Sequence, residues 1–282
     1  MSTELVKIDE SRYRAIGEQN PTIKWIKSLI INSKPNPDRL FVAEGIFTHK
    51  LILDNAVKVR ALVICREFMR TAEVASVAND ISSISAECYE VSAKTFLKLS
   101  EREKPDGLLC VAQLPTYDVS QFKPSLDGVV LVLDGVEIPG NIGTMVRMAD
   151  GAGVEAVFIC NRKARLTHPK LIKGSLGAIL TVPIYEFESV DDCYALLNKH
   201  GYTTYLADTR AERYYYEELF EGPTAFVMGS ERYGISRQWY DYPLALTAIP
   251  MLGKCDSLNV GVAATVLVYE AVSKKLMRRN KK

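Results

Sequence analysis

Three segments in the second half of the chain place chemically capable side chains at fixed spacing. Asn141 and Arg147 lie in PGNIGTMVR (139–147), Glu231 in MGSERYGIS (228–236), and Ser257 and Asn259 in IPMLGKCDSLNVGVA (249–263). Each segment follows an apolar run that reads as a buried strand, and two of them open into a run of helical periodicity. Gly and Asn recur where the chain must turn sharply or let a ligand approach the backbone. Ligands of open α/β sheets collect outside the carboxyl ends of the strands. Three such loops in one α/β domain therefore predict a single composite site carrying Asn141, Arg147, Glu231, Ser257 and Asn259.

More familiar chemistries fail on detail. Gly140-Asn141-Ile142-Gly143 follows a strand and opens a helix, yet there is no GxGxxG, and the next strand ends in Cys160-Asn161 where a dinucleotide site needs an acid for the ribose. No GKS or GKT completes a P-loop. Gly229-Ser230-Glu231 is not a GxSxG nucleophile turn, and no His is close to it. Cys255 sits in the third segment, where a lone thiol is more often an apolar filler than a nucleophile. The six cysteines form no CxxC pair and the three histidines are isolated, so no metal site is legible.

The elements that must position these residues read as two α/β units. In the first, Pro21–Ser33 predicts a helix, followed by a strand at Leu40–Ala43, a helix at Ile46–Leu53 and a strand at Arg60–Cys65. Ala72–Asp80 predicts a helix, Cys88–Val91 a strand, Ser92–Ser100 a Ser-capped helix and Gly107–Gln113 a strand. Residues 1–20 are polar and carry little signal. Two prolines and several polar residues make 115–126 the expected linker between domains at 1–114 and 127–282. The second unit opens with the strand Gly128–Leu133. Ala156–Cys160, Thr203–Ala207, Thr224–Met228 and Leu246–Pro250 are its later strands, and such continuous apolar strands alternating with helices predict a parallel sheet covered on both faces.

These motifs resemble the SpoU/TrmH-type RNA ribose 2′-O-methyltransferases of the SPOUT superfamily. The likeness rests on Asn141 with Arg147, on Gly229-Ser230-Glu231 with Gly234, and on Ile249-Pro250-Met251 followed by Ser257-Leu258-Asn259-Val260, with Ser175–Ala178 and Pro183 between them. It spans Leu126 to Ser273 strongly; Arg39, Phe41, Glu44 and Gly45 resemble the family's accessory substrate domain more weakly. Gly261 departs from a small hydroxyl residue common in relatives.

The resemblance implies a C-terminal parallel-sheet domain with a deep trefoil knot, a smaller N-terminal α/β substrate-binding domain, and a homodimer whose active site draws on both subunits. It implies S-adenosyl-L-methionine as methyl donor, held by Ala207, Asp208, Thr209, Met228, Gly229, Ile249, Met251, Leu258 and Asn259. Gly229 and Gly253 would let backbone approach the ligand. Arg147, Asn141, Glu231, Ser257 and Asn259 are the implied catalytic set. Arg147 acts either as base or as electrostatic stabiliser, and a pairing with Glu231 is one expectation. The bland reading makes Asn259 a helix-start residue and Ser257 its cap. By analogy the substrate is ribosomal RNA; tRNA ribose methylation, antibiotic-resistance methylation and a non-catalytic RNA-binding relative are the alternatives.

Bulk properties agree with this class without pointing to it. The chain has 282 residues, 48% hydrophobic and 24% charged, with a net charge of +1, so any RNA contact must come from local patches. Lys24, Lys27 and Arg39 are candidate RNA contacts together with Arg147, Trp25 and Phe41 read mainly as core, and the tail from Lys274 carries six Lys/Arg in nine residues. A polar N-terminus, dispersed cysteines and the lack of a long apolar run predict a cytoplasmic protein with no membrane span.

Overall fold

The computed structural model describes residues 8–280, so Met1–Lys7 and the last two lysines of the basic tail lie outside the described residues. The chain divides into two compact units, the first running through Pro115 and including Leu166–Ile172, the second formed by the rest.

In the first unit the elements are β1 (Arg14–Ala15), α1 (Pro21–Ile30), β2 (Leu40–Glu44), α2 (Ile46–Asp54), β3 (Val59–Ile64), α3 (Ala72–Ile84), β4 (Ser85–Glu90), α4 (Ala93–Phe96) and β5 (Leu108–Gln113). Asn20 caps α1, its side chain accepting from Thr22 N at 2.9 Å, and Pro21 takes the first turn, where a missing N–H costs nothing. The sheet order is β1-β4-β3-β5-β2, with β5 antiparallel to both neighbours. One face buries Ile23, Ile26, Ala61, Val63, Phe96, Leu109 and Val111. The two-residue β1 lies in the segment that gave no sequence signal: it pairs with β4 through backbone groups and buries neither of its side chains.

The second unit contains β6 (Val129–Asp134), α5 (Pro139–Ala152), β7 (Ala156–Cys160), β8 (Ile184–Glu186), α7 (Val190–Lys199), β9 (Thr203–Ala207), β10 (Thr224–Gly229), β11 (Ala245–Thr247) and α8 (Val260–Arg279); α6 (Pro169–Ser175), between β7 and β8, is cut by the division. The six strands are all parallel in the order β11-β9-β10-β6-β7-β8, so the expected parallel sheet is present. Val130, Val132, Phe158, Ala225 and Val227 face α7 and the fully buried Trp239. The opposite side-chain row, Leu131, Leu133, Val157 and Phe226, is equally buried, and α5 and α8 pack together beside it. Burial on both faces explains the near-continuous apolar strands.

Two expectations need correction. Residues 115–126 are not a free linker beyond Pro115. Phe122 is buried in the second unit's core, edge-on to Phe158 at 5.2 Å and to Tyr185 at 5.6 Å, with Tyr117 and Val119 beside it. Flanking prolines and polar residues hide this apolar set in the sequence. The last strand is also shorter than Leu246–Pro250, ending at Thr247 because Pro250 cannot donate to a ladder and Ile249 turns toward the site.

The basic run at the end of α8 is structural. Lys274 Nζ donates to the carbonyls of Tyr216 and Glu218 at 2.8 Å each, and Arg278 donates to those of Leu219 and Phe220 at 2.7 Å each. Lys275, 3% exposed, bonds Asp127 Oδ1 at 2.8 Å and the carbonyl of Gly222. These donors are committed to the 216–222 loop and to the start of β6, so they do not form a free phosphate-binding patch.

Candidate active site

At the carboxyl end of the parallel sheet one buried acid ties three loops together. Asp134, 1% exposed at the end of β6, accepts from Asn161 Nδ2 at 2.7 Å and from Ser236 N at 2.6 Å. A buried carboxylate is tolerated only when its oxygens are satisfied. Asp134 thereby fixes the segment after β7 and the far side of the loop after β10. Asn161, the residue that fails as a dinucleotide acid, works here as the partner of that carboxylate.

The loop after β10 folds back sharply on itself. Ser230 and Gly234 exchange backbone hydrogen bonds at 2.9 Å in both directions, with Gly234 at φ 72°. A Cβ on Gly229 would lie 2.2 Å from the Gly234 carbonyl carbon, so this glycine admits the chain's own backbone rather than a ligand. Gly253 shows no such crowding; a Cβ there would meet open space.

A second network joins the three predicted loops. Asn141 Nδ2 donates to Glu231 Oε1 at 2.7 Å, Glu137 N donates to Glu231 Oε2 at 3.2 Å, and Asn259 Nδ2 donates to Asn141 Oδ1 at 3.3 Å. Asn259 is itself the cap of α8, accepting from Gly261 N at 2.9 Å, so Ser257 is not that cap. Ser257 stays exposed, its only hydrogen bond among the described residues being a long one of 3.5 Å to Asp256.

These loops enclose a cavity of about 700 Å³, within the range of ligand clefts. Its lining includes every residue expected to hold the donor, Ala207, Asp208, Thr209, Met228, Gly229, Ile249, Met251, Leu258 and Asn259, as well as Asn141, Glu231 and Ser257. Met228, Ala248, Val260 and Leu258 supply apolar wall. Glu231 supplies a carboxylate, and Asp208 a second one paired with Arg210, so the lining offers apolar wall for an adenosine and negative charge for a positively charged tail.

Arg147 is the exception. It is exposed on α5, outside the lining, with no hydrogen bond or ion pair among the described residues. Six residues along an α-helix advance the chain about 9 Å and rotate it about 240°. Asn141 and Arg147 therefore leave α5 in different directions, and Glu231 pairs with Asn141 instead of Arg147.

Sequence reasoning missed Asp134, Arg210 and Tyr240. Asp208, 8% exposed, accepts from Arg210 Nε at 3.0 Å and Nη2 at 2.8 Å, and from Tyr240 OH at 2.5 Å. The Arg210 guanidinium holds the Asp208 carboxyl well below the usual carboxylate range, against the opposing effect of burial. Burial, reinforced by the Asp208 charge, pushes the Tyr240 phenol up to about 12. An acid two residues before an arginine at a strand end was the available signal.

The first unit's candidates are scattered in character. Lys24 is exposed, Lys27 is 3.5 Å from Glu18, Arg39 is partly exposed in a left-handed turn at φ 53°, and Phe41 is core at 1% exposed. Trp25 is half-buried against the core.

A six-stranded parallel α/β domain with a cavity formed by loops at its strand ends has its site where such sheets bind ligands, and comparison with known proteins makes the class specific. The chain belongs to the SpoU rRNA Methylase family, whose model matches residues 128–269. A model for the MRM3-like substrate binding domain matches residues 20–110. The chain is 34% identical to the 23S rRNA (guanosine-2′-O-)-methyltransferase RlmB of Pectobacterium atrosepticum, covering 56% of this chain and 67% of that one. It is 25% identical to the 23S rRNA (uridine(2479)-2′-O)-methyltransferase of Streptomyces viridochromogenes, covering 94% of each. In fold it matches an AdoMet-bound rRNA methyltransferase from Sinorhizobium meliloti with a TM-score of 0.83, at 23% identity over 92% of this chain and 97% of that one.

Proposed function

We propose that this chain transfers a methyl group from S-adenosylmethionine to the 2′-hydroxyl of a ribose in ribosomal RNA. The observation that carries the reading is the Glu231–Asn141–Asn259 chain, which joins the three family motifs around one cavity of fitting size and donor set. Names of relatives that act on 23S rRNA, one of them matched along nearly its whole length, support the substrate class.

The donor supplies an electrophilic methyl group on a sulfonium. Met228, Ile249 and Leu258 would hold its adenosine, and Glu231 would give the cavity wall negative charge beside the cationic tail. In-line transfer needs the acceptor oxygen, the methyl carbon and the sulfur aligned, and fixing that geometry supplies much of the acceleration. The Asn141 and Asn259 amides and the Ser257 hydroxyl line the cavity and would orient the ribose. An arginine guanidinium offers positive charge and planar donors to a phosphate. We assign Arg147 to the acceptor phosphate and the developing alkoxide of a neighbouring subunit's site, because in its own subunit it stands outside the cavity. The working enzyme is accordingly a homodimer with a composite site. The unit matched to the substrate-binding model, taken here as residues 1–114, would capture the RNA, with Lys24, Lys27 and Arg39 as phosphate contacts. Family membership is also the ground for expecting a deep trefoil knot at the C-terminal end of the second unit.

The test is methyl transfer from tritiated donor to large-subunit rRNA, small-subunit rRNA and bulk tRNA in parallel, with Arg147→Ala alongside. Label in one rRNA, resistant to alkaline cleavage at a single position and lost in the variant, is the expected result. Label in tRNA alone overturns the ribosomal assignment; absence of both label and donor binding overturns the enzyme reading.

A further inference from the structure

The cavity wall contributed by the end of β9 carries a cluster outside the three motifs. Asp208 contributes a carboxylate that is 7% exposed, while Arg210, which grips it with two donors, is 78% exposed. Arg210 N also donates to Asp208 Oδ1 at 2.9 Å, and Asp208 N donates to the Thr247 carbonyl at 3.1 Å. Tyr240 comes from the short 3-10 helix Arg237–Asp241 and bonds the same carboxylate, and Arg210 Nη2 reaches its hydroxyl at 3.5 Å, the guanidinium lying 5.9 Å from its ring centre. All three residues line the cavity, so an acid, a base and a phenol form part of a wall otherwise built of Ala207, Thr209 and apolar groups.

We propose that Asp208, Arg210 and Tyr240 form a donor clamp. Arg210 and Tyr240 are positioning residues that hold the Ala207–Thr209 wall in place, and the Asp208–Arg210 pairing keeps that wall electrically balanced beside a cationic ligand. The proposal rests on the methyl-donor reading of the cavity. Its physical content is a sign. The donor carries one more positive charge than the demethylated product, S-adenosylhomocysteine. Removing Arg210 unmasks a buried negative charge in the wall and favours donor over product. Neutralising Asp208 strands a positive charge there and favours product over donor. Purely structural damage would weaken both ligands in the same proportion.

The experiment is calorimetric titration of both ligands into wild type, Arg210→Ala, Asp208→Asn, Arg210→Lys and Tyr240→Phe in low salt. Relative to wild type, the ratio of donor to product affinity should rise about threefold in Arg210→Ala and fall about threefold in Asp208→Asn, as expected for one partly screened charge across a cavity. Arg210→Lys should restore the wild-type ratio, and Tyr240→Phe should weaken both ligands with the ratio unchanged. The donor KM should follow the measured donor affinity in each variant. Equal shifts of the ratio in Arg210→Ala and Asp208→Asn, or none in either, overturn the clamp. Failure of the wild type to bind either ligand overturns the methyl-donor reading itself.

Discussion

Replacing Asn141 by Ala tests whether the three loops work as one unit. The substitution removes the 2.7 Å bond to the Glu231 carboxylate and the 3.3 Å bond from Asn259. A hydrogen bond to a charged group contributes about 1.5–3 kcal/mol and a long neutral one about 0.5 kcal/mol. Glu231 is exposed and Asn141 half-buried, so water replaces part of each bond. A net loss of about 1–2 kcal/mol remains, equivalent to roughly 5–30-fold in kcat/KM. Part of any such loss could come from direct contact between Asn141 and substrate, so the decisive assay is a double-mutant cycle. Asn141→Ala, Glu231→Ala and the double variant are compared in methyl transfer to rRNA, with thermal unfolding alongside. A coupling energy of about 1 kcal/mol between the two sites is expected, with the melting temperature nearly unchanged because both groups lie at the surface. Single effects that add to within about 0.3 kcal/mol would show that the Asn141–Glu231 bond does not organise the site, and the structural ground for the composite reading would fall.

Gly229→Ala should abolish donor binding measured by calorimetry, since its Cβ would lie 2.2 Å from the Gly234 carbonyl carbon and 2.3 Å from Ile235 N, forcing the loop open. Asp127→Ala leaves the buried Lys275 ammonium with only the Gly222 carbonyl and should cost about 2–3 kcal/mol in urea unfolding, whereas Lys275→Met should be nearly neutral. Burial holds the Lys275 pKa below its ordinary 10.5, so in the Asp127→Ala variant stability should recover as pH rises toward that value. His49 is fully buried, its Nδ1 at 2.8 Å from the Gly45 carbonyl, and burial lowers its pKa to about 4. The unfolded chain therefore binds a proton that the native one refuses, and native stability should decline by about 3 kcal/mol as pH falls from 6.5 to about 4. His49→Leu should flatten that part of the stability profile.

What the sequence revealed and what it hid have physical causes. The parallel sheet was legible because strands buried on both faces leave uninterrupted apolar runs; Val129–Asp134 and Ala156–Cys160 are buried throughout. β8 and β1 were not legible, because three and two residues hold too little pattern to register as strands. The cavity lining was legible because the family resemblance named residues at the strand ends, and each of them lines the cavity. Asp134 and Tyr240 were hidden because their roles depend on partners far along the chain, Ser236 for the first and Asp208 for the second. Arg147 shows the same limit from the other side. Its spacing from Asn141 suggests a shared site, yet helical rotation carries it to the exposed face of α5, away from the cavity of its own subunit. On the function proposed above, Arg147 serves a second cavity brought to it by another copy of the chain, because it lies outside its own. On this argument, mixing Arg147→Ala subunits with Asn141→Ala subunits should yield heterodimers with one intact site, and activity regained above either parent alone measures that composition directly.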